Sequence, residues 1–273
     1  MLNKLLKHDF IATGRIMGAV YAVVLLIMGY VLSSYYITRD EENIGQMLGI
    51  TVLLIIAMCS FILTTVVMIV DFQKTLYGDQ GYLSFTLPVK SVSLLASKVI
   101  TSTVWYIAAF ACLMGTMAVT YTVLKEDVMG DNYETIESLL PMFMGGKSVS
   151  TVILAVVFSL VNYFIRFAVI TIEIYFAITL ANTRLFQKRY LLWTIVFAIA
   201  IIFADVQISN LISNHVTLEL AVSADGIKVI TDYLNAPMAA SYINLAGTIV
   251  SLLIGAGLFY GTFYVMSKKV NIR

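Results

Sequence analysis

Charge is scarce in this chain. Asp, Glu, Lys and Arg make up 12% of its 273 residues, while 60% are hydrophobic. A soluble domain of this size carries about a quarter charged residues, so that class is excluded. Cysteine is scarcer still. Cys59 and Cys112 both fall inside apolar runs, where cysteine behaves as a small hydrophobe, so neither a disulfide nor a metal site is expected. The two histidines, His8 and His215, lie far apart with no ligand-spaced neighbours. The patterns HExxH, GxSxG and GxGxxG are missing, and no residue argues for an enzyme. Gly145-Gly146-Lys147-Ser148 is similar to the end of a phosphate-binding loop. The glycine that such a loop requires five residues before Gly146 is here Pro141, so a glycine turn is the better account. A net charge of +1 gives no field pointing to nucleic acid. No cleavable signal peptide is expected, because the first apolar run is too long for one and lacks a small-residue cleavage site.

What is present is apolar sequence in long runs, with a mean hydropathy of +0.92. About 20 such residues cross a bilayer as a helix. Six runs qualify, at about residues 16–36, 46–70, 99–124, 151–183, 190–208 and 241–267. They are apolar all round rather than alternating, which argues for helices and against a closed barrel. The expected class is an all-α integral membrane protein with six transmembrane helices, forming a single six-helix domain over residues 1–273. The fourth run exceeds the hydrocarbon thickness, so it should protrude or tilt. Ahead of the first run, Leu2, Leu5, Leu6, Asp9 and Phe10 recur at roughly helical spacing, with Lys4, Lys7 and His8 on other faces. This predicts a short amphipathic helix over 1–15 lying on the membrane surface.

Basic residues set the orientation. Lys4, Lys7, Arg15, Lys74, Lys90, Lys98, Arg184, Lys188, Arg189, Lys268, Lys269 and Arg273 all fall on one side of a six-span topology. The other side holds only Arg39, Lys125, Lys147 and Lys228, among many acids. Both termini are therefore expected in the cytoplasm. The two larger outer loops are 126–150, with a short interfacial helix expected, and 209–240. In the latter, apolar and polar residues alternate about Asp225-Gly226, a β-hairpin signal.

Two features invite a functional reading. Arg166 and Glu173 are charged residues inside the fourth run. They are seven apart and so lie on nearly one helix face, about 10 Å apart along the axis, with Asn162 one turn before Arg166. Such groups either line a polar route or form an interhelical ion pair, for Arg166 with Asp71 or Asp205. The second feature is the inner loop 71–98, which contains YGDQGYLSFTLPVK. Leu83, Phe85, Leu87 and Val89 alternate with Ser84, Thr86 and Pro88, giving one apolar face. Gly78 and Gly81 permit sharp turns around Asp79, and Pro88 is placed to start the next helix. The apolar side chains either rest on the membrane interface or dock into a cytoplasmic protein, where aromatic anchors carry much of an interface's energy.

The stretch L-Y-G-D-Q-G-Y-L-S-F-T-L-P-V…SK, set between the second and third of six spans, resembles the permease subunits of bacterial ABC exporters of the second ("type-2") class. Residues 172–192, IEIYFAITLANTRLFQKRYLL, are similar to that family's passage from span four to span five. The resemblance implies that Leu76, Tyr77, Gly78, Asp79, Gly81, Tyr82, Leu83, Leu87 and Pro88, joined by Phe85 from the apolar face, form a coupling loop that docks on a separately encoded ATPase. It also implies a second permease chain, the same or different, and a place in a bacterial plasma membrane as a multi-pass protein. ATP would be bound by the partner subunit and no cofactor by this chain. The 209–240 insert and the Arg166/Glu173 pair are departures from the family's general pattern. An antimicrobial peptide, a drug or a lipid would each suit a partly apolar path. A secondary transporter, a membrane-embedded enzyme and a non-transporting scaffold are the alternative readings. The first of these would need ion-coupling charges at broken helices.

Overall fold

The computed structural model describes residues 2–37, 44–78, 91–127, 149–183, 185–223, 226–231 and 241–268. Long helices dominate: α1 (Leu2–Ile37), α2 (Ile44–Leu76), α3 (Ser91–Asp127), α4 (Val149–Ala181), α5 (Tyr190–His215) and α6 (Leu245–Lys268). A 3-10 turn, Gln187–Arg189, leads into α5, and three short strands, β1 (Glu219–Ser223), β2 (Gly226–Ile230) and β3 (Ser241–Asn244), separate α5 from α6. All six α-helices are long and apolar enough to cross a membrane. The chain therefore has the character of a multi-pass α-helical membrane protein. Large side chains such as Leu26, Met58, Ile62, Ile199, Phe203 and Leu253 are exposed, as expected where the surrounding solvent is hydrocarbon.

The chain divides into two compact units. The first comprises residues 1–71 and 100–138, the second residues 72–99 and 139–273. Within the first unit α1 is one continuous helix. Its buried residues, Asp9, Thr13, Met17, Tyr21, Val24, Val31 and Tyr35, recur at intervals of three, four or seven along its whole length. That single stripe corrects the expectation of a separate surface helix over 1–15: the same face that packs the later turns also packs the earlier ones. Trp105 of α3 anchors this face. Its indole Nε1 donates to Thr13 Oγ1 at 2.9 Å, its ring stacks on Tyr21, and its carbonyl accepts from the Tyr21 hydroxyl at 3.1 Å. Further along the helices, Val31, Tyr35, Ile50, Leu53, Val119 and Val123 form a second cluster.

The second unit contains α4, α5 and α6, the last turn of α2, the first turns of α3 and the sheet. Strand order is β2-β1-β3, antiparallel throughout, with Ser223 opposite Gly226 and Glu219 opposite both Ile230 and Asn244. The β1–β2 pair forms the hairpin read from the alternation about Asp225-Gly226, and Asp225 itself lies outside the described residues. The third strand has no equivalent in the sequence reading. It joins because residues 241–244 run directly into α6, whose first amides, on Leu245 and Ala246, donate to the Leu218 carbonyl at 3.0 and 3.1 Å. The interfacial helix expected within 126–150, and Gly145 to Ser148, also fall outside the described residues, apart from the ends of α3 and α4.

Candidate functional site: a buried polar network on α4

The helix α4 has 33 residues, about 50 Å at 1.5 Å per residue. It carries two polar sites about 20 Å apart. Toward its sheet end, the Asn162 side-chain amide donates to Thr248 Oγ1 of α6 at 2.8 Å. One turn on, Arg166 Nη1 donates to Asp205 Oδ2 of α5 at 2.9 Å and also bonds Ser251 Oγ of α6. Ser209 Oγ donates to Asp205 Oδ1 at 3.3 Å and lies 3.0 Å from Ser251 Oγ. One ion pair and two hydroxyls thus tie three helices together. Asp205 and Ser209 are the only fully buried residues of α5, so the innermost contacts of this helix are polar. Burying the aspartate costs several kcal/mol, which only its cation and hydroxyl partners offset.

Glu173 lies about two turns further along α4 and is wholly buried. It feels the charges of Asp205 and Arg166. Neither carboxyl oxygen has a hydrogen-bond partner among the described residues. Of the three polar residues singled out in the fourth run, two therefore engage neighbouring helices, and the third is a wholly buried acid close to Asp205. Among the described residues no group of three His, Cys, Asp or Glu side chains could hold a metal ion.

The second site is the root of the loop that joins α2 to α3. Phe72 stacks on Tyr175 of α4, with centroids 3.8 Å apart and planes within 5°. The Gln73 and Asn182 side-chain amides exchange two hydrogen bonds, and the Tyr77 hydroxyl donates to Thr179 Oγ1 at 2.8 Å. The returning strand of the loop is also fixed, since Lys98 Nζ donates to Thr75 Oγ1 at 3.3 Å and Leu94, Leu95 and Ser97 are buried. Leu76 and Tyr77 are buried at the base. Gly78 closes the helix with its amide on the Gln73 carbonyl at 2.9 Å. A Cβ at Gly78 would lie 3.0 Å from the Lys74 carbonyl oxygen, so close backbone approach is what demands glycine here. Asp79, Gly81, Tyr82, Leu83, Phe85, Leu87 and Pro88 lie outside the described residues.

Sequence reasoning singled out Arg166, Asp205, Leu76, Tyr77 and Gly78. It missed Ser209, Ser251, Thr248, Gln73, Thr179 and Asn182. A signal exists for some of them: Asp205 and Ser209 are four apart in α5, and polar residues spaced by one turn in an otherwise apolar helix mark its inward face. No family model, no curated protein and no solved structure matches this chain.

Proposed function

We propose that this chain is the membrane-spanning permease subunit of an ATP-driven exporter, taking its drive from a separate ATPase through the loop that joins α2 to α3. The observation that carries this reading is the attachment of that loop. Both of its roots, residues 72–78 and 91–99, belong to the same compact unit as α4, and residues 72–77 bond and stack directly onto α4. A force applied to loop residues 79–90 would reach α4 through Phe72, Gln73 and Tyr77. The stiff helix would carry it about 20 Å to the Arg166–Asp205 network. That is the mechanical arrangement a coupling loop requires. The basic-residue bias puts this loop in the cytoplasm, where ATP is, and the membrane is taken as a bacterial plasma membrane with a second permease chain completing the path.

The test is purification of the full chain from its native membrane. It should bring with it a subunit that hydrolyses ATP. Tyr82→Ala with Phe85→Ala should release that subunit, whereas Ser84→Ala, which removes no aromatic or apolar anchor, should retain it. A permease that purifies with no ATPase, or one whose ATPase is indifferent to Tyr82 and Phe85, would remove the reading.

A secondary transporter is the second reading, favoured by Glu173, a wholly buried intramembrane carboxyl of the kind that carries protons across membranes. It requires transport that follows a pH gradient and persists without ATP.

A further inference from the structure

A cavity of about 280 Å³ opens at the sheet end of the α4–α5–α6 bundle. Ser159, Asn162, Tyr163 and Arg166 of α4 line it, with Ser209, Asn210 and Ser213 of α5 and Asn244, Gly247 and Thr248 around the start of α6. The lining contains one cation and no acid. Arg166 is the last of the α4 lining residues in chain order, about 10 Å along the helix from Ser159. We propose that this cavity binds a phosphate group, held by the free edge of the Arg166 guanidinium.

The donors decide the chemistry. Within the described residues Arg166 bonds through Nη1 alone, to Asp205 and Ser251, and its side chain is 28% exposed. Its Nε and Nη2 remain, and together they form the planar fork that fits two oxygens of one oxyanion. Asp205 does not compete for this edge, since its oxygens are taken by Arg166, Ser209 and Ser251 and it is buried outside the lining. Its role is to hold the guanidinium by the opposite edge. The Ser159 hydroxyl and the Asn210 side chain make no hydrogen bond to the described residues. They stand on two different helices, so donors approach from several directions, which suits a tetrahedral group better than a planar one. The volume leaves room for what a phosphate is esterified to. The cavity lies where α5 ends and α6 begins, with Tyr163 exposed beside it. Aromatic side chains favour that interfacial depth, where phospholipid head groups also lie. The phosphate could come from a lipid head group or from free phosphate, and the same donors would serve either.

The site does not depend on what the chain transports, and binding can be read on the purified full chain in detergent. The measurement is the melting temperature in three titrations: inorganic phosphate at constant ionic strength, short-chain phosphatidylglycerol, and a short-chain diacylglycerol lacking phosphate. The phosphate-bearing probes should raise the melting temperature by several degrees, and the diacylglycerol should not. A response to inorganic phosphate identifies the free ion as sufficient; a response to the phospholipid alone identifies the head group. Either supports the site. Ser159→Leu and Asn210→Leu fill the cavity without touching the ion pair, and each should weaken half-saturation at least tenfold. Arg166→Lys keeps the charge but loses the fork, and should weaken it similarly. Should that variant fail to fold, the two leucine variants carry the result alone. No shift with either phosphate-bearing probe, an equal shift with diacylglycerol, or undiminished binding in both leucine variants would overturn the proposal.

Discussion

Gln73 and Asn182 are 109 residues apart in the chain and exchange two side-chain hydrogen bonds, of 3.1 and 3.0 Å. Asn182 Nδ2 also donates to the Ile178 carbonyl at 2.8 Å. A reciprocal amide pair fixes both distance and orientation. It joins the last turn of α2 to the end of α4 at the point where the loop between α2 and α3 departs. Phe72 against Tyr175 and Tyr77 against Thr179 flank it on the same two elements.

Breaking that pair should cost more on one side than on both. Asn182 is buried, so Gln73→Ala leaves its amide short of a partner, a loss of about 1–3 kcal/mol. Replacing both residues with alanine should cost less than Gln73→Ala and Asn182→Ala added together. Thermal or denaturant unfolding of the four proteins of the cycle in detergent measures this. Strict additivity would mean that the two amides do not interact. If the loop transmits force, Gln73→Ala should also lower transport in preparations where folded protein is held equal.

The Arg166–Asp205 pair should behave as a buried ion pair does. Arg166→Leu strands a carboxylate that is 2% exposed and should destabilise by about 3 kcal/mol, the low end of the usual range, because the guanidinium keeps some contact with solvent. Adding Asp205→Leu should recover most of that loss. Melting temperatures of the single and double variants decide the matter. A double variant less stable than Arg166→Leu would show that Asp205 is held mainly by Ser209 and Ser251.

Helix number and type were legible in the sequence because long apolar runs leave little choice of structure. Packing was less legible, for a reason particular to membranes. In α5 apolar residues surround the whole helix, so hydrophobic periodicity cannot mark the inward face, and the two residues that do mark it, Asp205 and Ser209, are polar. The pairing of Arg166 needed the structure to choose between Asp71 and Asp205. The β-hairpin was readable from its alternation, but β3 was not, since its pairing with β1 depends on where α6 begins. In α1 the basic residues near the start suggested a separate surface helix. The buried stripe from Asp9 to Tyr35 crosses the suggested boundary without a break. The polar root at Gln73, Thr179 and Asn182 joins segments a hundred residues apart, a long-range fact that local pattern does not contain.

Glu173 separates stability from function. Its carboxyl is wholly buried close to Asp205 and Arg166, and a buried acid costs stability unless its partners offset the lost hydration. Glu173→Met, close in volume and apolar, should raise stability by about 1–3 kcal/mol where that offset is incomplete. The same change should impair transport if the acid acts in it. Glu173→Gln preserves shape and tells the two roles apart: a transport loss in both variants points to the proton-carrying group, and a loss in Met alone points to polarity. A destabilised Glu173→Met protein would mean that the carboxyl makes a favourable interaction in the folded state.

The sidedness of the chain decides whether the inner loop can meet an ATPase at all. If the basic-residue bias holds for this chain, the α4–α5 connection is in the cytoplasm and the sheet outside. Leu185, in that connection, is 86% exposed, and Val229, on β2, is 58% exposed, so a cysteine at either position should be open to reagent. In a background carrying Cys59→Ala and Cys112→Ala, intact cells are treated with a membrane-impermeant maleimide, then lysed and treated again. Val229→Cys should label in the first step. Leu185→Cys should label only after lysis. Any positively charged connection held inside would give that pattern, so the Leu185 result tests the same rule that assigns residues 79–90. Labelling of Leu185→Cys in intact cells, with Val229→Cys protected, would reverse the topology and place the loop between α2 and α3 where no ATP is available to a partner.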